Sequence, residues 1–158
     1  MSAPEDCLDW STQRADFERD GSLRDIYVLD TSLEDWDRVL DLVTREAPGA
    51  RLVHAETGAL ARLDSRDVGA LFREEQPYRL VFSVGGVELC CHFFSKREVE
   101  FDFSPDGLDE MKMRGLLRFM ARLGEVTGKR VVLTPENVPA LPIYVYDPAT
   151  GRVSWGAP

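Results

Sequence analysis

The sequence predicts an α+β domain: a mainly antiparallel sheet with two main helices, 32–46 and 106–127, packed on it. Two observations carry that expectation. Three alternating runs joined by tight turns occupy Tyr78 to Phe103, and period-two alternation is the mark of half-buried strands. Two other stretches repeat their apolar residues at helical spacing. The chain has 158 residues, 44% hydrophobic and 30% charged, which suits one domain able to bury a core. Neither low complexity nor a linker interrupts it, so 1–158 is read as one unit with 1–22 as an irregular arm.

The elements follow in order. The arm mixes acids with Leu8, Trp10 and Phe17, aromatics that could pin it. Ile26 to Leu29 are four consecutive apolar residues, as expected of a strand covered on both faces. Thr31 and Glu34 match a capping box. Leu33, Trp36, Leu40 and Val43 then form a helical stripe, ended by Pro48-Gly49. Arg51 to Glu56 and Ala59 to Leu63 read as short strands, and Ser65 to Glu75 as a short helix. In the 78–103 meander, Gly85-Gly86 is a two-residue hairpin signal. It pairs Val84 with Val87 and Phe82 with Leu89. A three-residue second loop, Ser95 to Arg97, pairs Phe93 with Val99 and His92 with Glu100. Ser104-Pro105 opens the long helix, whose Met113, Leu117 and Met120 should cover the meander, and Gly128 closes it. Lys129 to Thr134 is a strand. Ile143 to Tyr146 and Arg152 to Trp155 form a terminal hairpin.

Composition excludes several function classes. Net charge is −9, unfavourable for nucleic acid or an anionic membrane. No apolar run approaches the roughly 20 residues that span a bilayer, and no secretory signal opens the chain. Cys7, Cys90 and Cys91 are an odd set with two adjacent, pointing to reduced thiols and a cytoplasmic setting. Gly85-Gly86 precedes no helix, so it lacks the N-terminus that cradles phosphate. No Gly-x-Ser-x-Gly elbow occurs, and no cofactor signature is present.

The remaining chemistry lies in a few groups. His54 and His92 each lack a His or Cys at short zinc spacing. Cys90 and His92 share a strand face, but a nucleophile pair needs a third group to orient it. Glu98, Glu100, Asp102 and Asp106 form a dense carboxylate run, which suggests a metal-dependent hydrolase as an alternative function. A subunit of a larger assembly, with an apolar patch at Pro135 to Tyr146, is a further alternative. Arg114, Arg118 and Arg122 recur every four residues on one helix face.

The charge is unevenly spread. Met1 to Glu46 carries 13 Asp/Glu against five Arg, while the rest of the chain is almost neutral. Aromatic anchors ringed by acids suit a basic protein partner. Trp10, Asp35, Asp37 and Asp41 are the expected contacts. The acidic lead-in through LRDIYVLDTSLEDWDRVLDLV and the segment VEFDFSPDGLDEMKMRGLLRFMARLGEVTGKRVVLTPEN resemble small acidic bacterial proteins of toxin–immunity systems. That resemblance implies a cytoplasmic, non-enzymatic protein that binds one cognate toxin, often a basic nuclease. Immunity proteins span many folds, so it implies no fold and assigns no residue.

Overall fold

A computed structural model describes residues 3–63, 68–72 and 78–156. The chain is α+β; its described residues form a nine-stranded, wholly antiparallel sheet and three α-helices. In chain order these are α1 (Trp10–Gln13), β1 (Arg24–Leu29), α2 (Leu33–Glu46), β2 (Arg51–His54), β3 (Leu60–Arg62), β4 (Tyr78–Val84), β5 (Val87–Ser95), β6 (Glu98–Phe103), α3 (Glu110–Thr127), β7 (Val131–Pro135), β8 (Tyr144–Asp147) and β9 (Arg152–Trp155). The spatial order is β3-β2-β4-β5-β6-β1-β7-β8-β9. β1 is therefore inserted between β6 and β7, and the β6–α3–β7 connection passes over it.

Parity separates the two faces of the sheet, because alternate side chains point to opposite sides. Ile26, Val28, Val99, Phe101, Phe82, Leu89 and Leu133 join the buried faces of α2 and α3 in one core. Phe119 of α3 meets Phe82 and Phe101 edge-on, each at 5.7 Å. Met113, Leu117 and Met120 are buried in that core, as their helical spacing implies. The other face holds only a small apolar cluster, Tyr27, Val132 and Val145, with Leu29 against it. The two clusters account for the apolar run in β1, whose residues feed both faces.

Several boundaries differ from the sequence expectation for local reasons. α2 is capped by Ser32 and Asp35, one residue after the expected pair; Ser32 Oγ accepts from Asp35 N–H and the Asp35 carboxylate accepts from Ser32 N–H. Thr31 is engaged elsewhere: its hydroxyl donates to the Lys96 carbonyl. α3 starts at Glu110 with Asp109 as cap, not at 106. Gly107 lies at φ 73°, a left-handed conformation that a right-handed helix cannot absorb. Gly128 caps its end at φ 68°, as expected. Gly85 and Gly86 also have positive φ, and the Gly85 backbone packs against Gly115 of α3. The β5–β6 turn is shorter than expected. The register slips between His92 and Ser95, so Ser95 faces Glu98, and Phe93 does not pair with Val99. Gly69–Phe72 forms a 3-10 turn; the rest of the helix expected over Ser65 to Glu75 lies mostly outside the described residues.

The arm is docked. Trp10 stacks on Phe17 and Phe17 on Tyr144. The Tyr144 hydroxyl donates to the Gln13 side chain, and the Trp155 indole N–H donates to Asp16. The arginine stripe of α3 ties this end together: Arg118 pairs with Glu5 and Arg122 with Glu46, each at 2.9 Å. Both acids come from the first third of the chain, so part of its negative charge is neutralised within the fold.

Candidate functional site: the helix-free face of the sheet

Among the described residues, no helix packs on the Tyr27 face of the sheet, and the titratable groups gather there. Register brings them together. Cys90, Asp102, Asp25 and Thr134 form one row across β5, β6, β1 and β7; His92, Glu100, Tyr27 and Val132 form the next. Glu98 and Leu29 begin a third. Strand pleating spaces such rows by about 7 Å.

The first group in the cluster centres on Tyr27. Its hydroxyl donates to Asp25 Oδ2 at 3.0 Å and lies 3.5 Å from Glu100 Oε1. Asp25 is only 2% exposed, and also accepts from the Asn137 backbone N–H at 2.7 Å. Burial outweighs these bonds and raises its pKa, with Asp102 and Glu136 adding repulsion. Burial likewise raises Glu98. Glu100 is raised by burial first, then by Asp25, Glu98 and Asp102, with His92 partly opposing. The same surroundings push the Tyr27 phenol up, so it remains a proton donor. Among the described residues, neither Glu98 nor Glu100 forms an ion pair with a lysine or arginine.

The second group is Cys90, His92 and Asp102. His92 Nε2 lies 3.4 Å from Asp102 Oδ2 and 3.6 Å from Cys90 Sγ. The Asp102 bond, then the Cys90 contact, raise the imidazole pKa to about 10, so His92 is cationic at neutral pH. Its ring stacks on Phe94 at 4.9 Å and 11°. Phe94 is 73% exposed and stands as an apolar post beside the acids. Cys91 points into the opposite core, where burial raises its thiol pKa.

The residues expected to contact a partner divide sharply. Asp35 is 4% exposed and held by Ser32 and Arg38. It is a capping group with no face to present. Trp10 is half-buried in the arm stack, not an exposed anchor. Asp37 and Asp41 are exposed on the outer face of α2, but Arg38 and Arg45 share that face. The acidic first third is thus concentrated in sequence but dispersed in space, from the arm to α2 to Asp25 on the far side of the sheet.

The carboxylate run also separates. Glu98, Glu100 and Asp102 face one way at every second position of β6, too far apart to share one ion. Asp106 turns away and meets Arg19 at 3.5 Å. The grouping of possible metal ligands among the described residues is instead Cys90, His92 and Asp102. The expected apolar patch at Pro135 to Tyr146 has Leu141 as its sole strongly exposed large apolar side chain. His54 packs edge-on against Tyr78, and its Nδ1 accepts from the Glu56 and Thr57 N–H groups.

A cleft of about 340 Å³ lies between the end of α2 and β2–β3, with Thr44, Ala47 and Leu63 in its wall and Arg51 and Arg62 in its lining. It holds none of the carboxylates, thiols or imidazoles described above. Among the described residues, no helix is long and apolar enough to cross a membrane. Comparison with protein-family models, curated proteins and solved structures finds no match.

Proposed function

We propose that the protein works by binding a basic protein partner on its helix-free sheet face, in the manner of an immunity protein occupying its toxin. The observation that supports this reading is the pair Glu98 and Glu100: half-buried, raised in pKa and, among the described residues, in no ion pair with a lysine or arginine, His92 alone partly offsetting Glu100. Desolvated carboxylates lacking a counter-charge weaken an isolated fold. An incoming lysine or arginine supplies what they lack, so the charge serves association. Exposed Phe94 gives such a partner an apolar anchor beside the acids. Asp37 and Asp41 on α2 remain a second acidic surface, but one interleaved with arginine.

The test is affinity capture at low salt from the source organism, followed by measured affinity of the captured basic protein for variants. Glu98→Lys with Glu100→Lys should weaken binding by about 100-fold or more, since like charges across an interface cost several kcal/mol. Asp37→Lys with Asp41→Lys should change it only a few-fold. Affinity should fall as salt rises. If the partner's own activity is blocked by the wild-type chain and not by the sheet variant, the sequestering role stands. Undiminished affinity in the sheet variant would place the contact elsewhere.

A further inference from the structure

We propose that Cys90 Sγ, His92 Nε2 and the Asp102 carboxylate form a binding site for a zinc-class divalent cation. The three donors lie on adjacent strands of the same sheet, which fixes their backbones. Cys90 and His92 are two apart on β5 and share a face, and Asp102 is Cys90's partner on β6. Their donor atoms all lie within 4.8 Å of one another.

The two separations made by His92 Nε2 match a tetrahedral ion. Zinc bond lengths to nitrogen, oxygen and sulfur imply an N···O ligand separation of about 3.4 Å and an N···S separation of about 3.6 Å. The structure has 3.4 Å and 3.6 Å. Donor chemistry selects the ion class: a thiolate, an imidazole and one carboxylate suit zinc or cobalt, whereas calcium and magnesium want oxygen alone. Three protein ligands leave the fourth position for water or an incoming group. Phe94 holds the imidazole plane by stacking. Asp25 and Glu100, next to Asp102 and His92 across the register, add negative charge that favours a cation, partly offset by Arg79, the partner of His92 on β4.

The same geometry disfavours a nucleophile triad. A thiol–imidazole–carboxylate relay uses the two ring nitrogens separately, one for each partner. Here sulfur and carboxylate both approach Nε2. A metal ion takes thiolate and neutral imidazole as ligands, so loading the site displaces protons and strengthens as pH rises. The site stands or falls independently of any protein partner.

The chain, fully reduced and stripped with chelator, is titrated with Co²⁺ alone and then with Zn²⁺. One equivalent of Co²⁺ should produce a thiolate charge-transfer band with intense tetrahedral visible bands, and Zn²⁺ should bleach both. Cys90→Ser should abolish the charge-transfer band. His92→Gln should weaken binding by at least about tenfold, the loss that removal of even an outer-shell partner brings. Cys7→Ser and His54→Gln should leave the spectrum unchanged. Absence of the thiolate band in the wild-type chain overturns the site whatever the variants do, as does a band that survives Cys90→Ser.

Discussion

The two faces of the sheet are built from the same strands and have opposite chemistry. On β6, Val99, Phe101 and Phe103 are buried against the helices, while Glu98, Glu100 and Asp102 point the other way. On β5, Leu89 and Cys91 face the core, and Cys90 and His92 face the acids. The helix face is a close-packed apolar interior whose residues have one task. Around Tyr27 the far face gathers Asp25, Glu98, Glu100 and Asp102 with an imidazole, a thiol and a phenol, beside Arg79 opposite His92, and several of these groups are half or fully buried. A solvated surface needs polar groups but has no need of desolvated ones. The contrast separates the face of the sheet that holds the fold together from the face on which the binding proposal rests.

The largest expected break in the contrast is on the helix face. Phe101→Ala removes a ring in edge contact with Phe82 and Phe119 and should lower unfolding stability by about 3–5 kcal/mol in a denaturant titration. Its sequence neighbour Glu100, on the other face, should tolerate Gln with a change of under about 1 kcal/mol, in the stabilising direction at pH 7. Gly124→Ala comes next. A β-carbon there would overlap the buried ring of Tyr146, an overpacking loss of about 1–3 kcal/mol, offset in part by alanine's better helix propensity.

His92 sharpens the comparison through pH. Its folded pKa of about 10 lies above the ordinary imidazole value of 6.5, so the folded chain binds the proton more tightly than the unfolded chain. The resulting stabilisation is complete below about pH 6.5 and is lost as pH rises through 10. Facing groups that set this shift are Asp102 and Cys90. Wild type should therefore exceed His92→Gln in melting temperature at pH 6, with the gap closing by pH 10. The smallest effect is expected at Phe94→Ala. An exposed side chain should change stability by about 0.5 kcal/mol or less, yet the same variant should weaken partner binding measurably if the ring is an anchor.

Much of this arrangement follows from parity alone. The pairing of Val84 with Val87 and Phe82 with Leu89 comes directly from a two-residue Gly-Gly turn and strict alternation, whereas His92 faces Glu100 as expected although the three-residue loop that predicts it is absent, the register slip between His92 and Ser95 making up the difference. The grouping of Cys90 and His92 on one face follows from the same alternation. Parity fails where alternation fails: Phe93 and Phe94 are both apolar, and the strand slips register beside them. The helix starts moved because competing caps stand close together, Thr31 beside Ser32 and Ser104 before Asp109. Neither pair is resolved without knowing which side chain has another task. The insertion of β1 between β6 and β7 has no local signal. That long-range pairing brings Asp25 and Tyr27 against Asp102 and Glu100, so half of the site is invisible in any window of the sequence. It also explains why acids close together in the first third of the sequence are dispersed in space. Asp25 sits on the far face, Asp35 in a cap, and Asp37 and Asp41 on α2.

Raised carboxyl pKa values mean that Glu98 and Glu100 carry charge against the interest of the fold, and thermal unfolding of Glu98→Gln with Glu100→Gln tests this without any partner. Both carboxyls have folded pKa values raised by burial, so the folded chain holds their protons more tightly, and stability falls as pH rises from the ordinary glutamate value through the raised ones. The double variant escapes that loss. It should melt above wild type at pH 7, with the difference shrinking toward pH 4. A double variant that melts below wild type at pH 7 would show that these carboxylates stabilise the fold and would contradict the account.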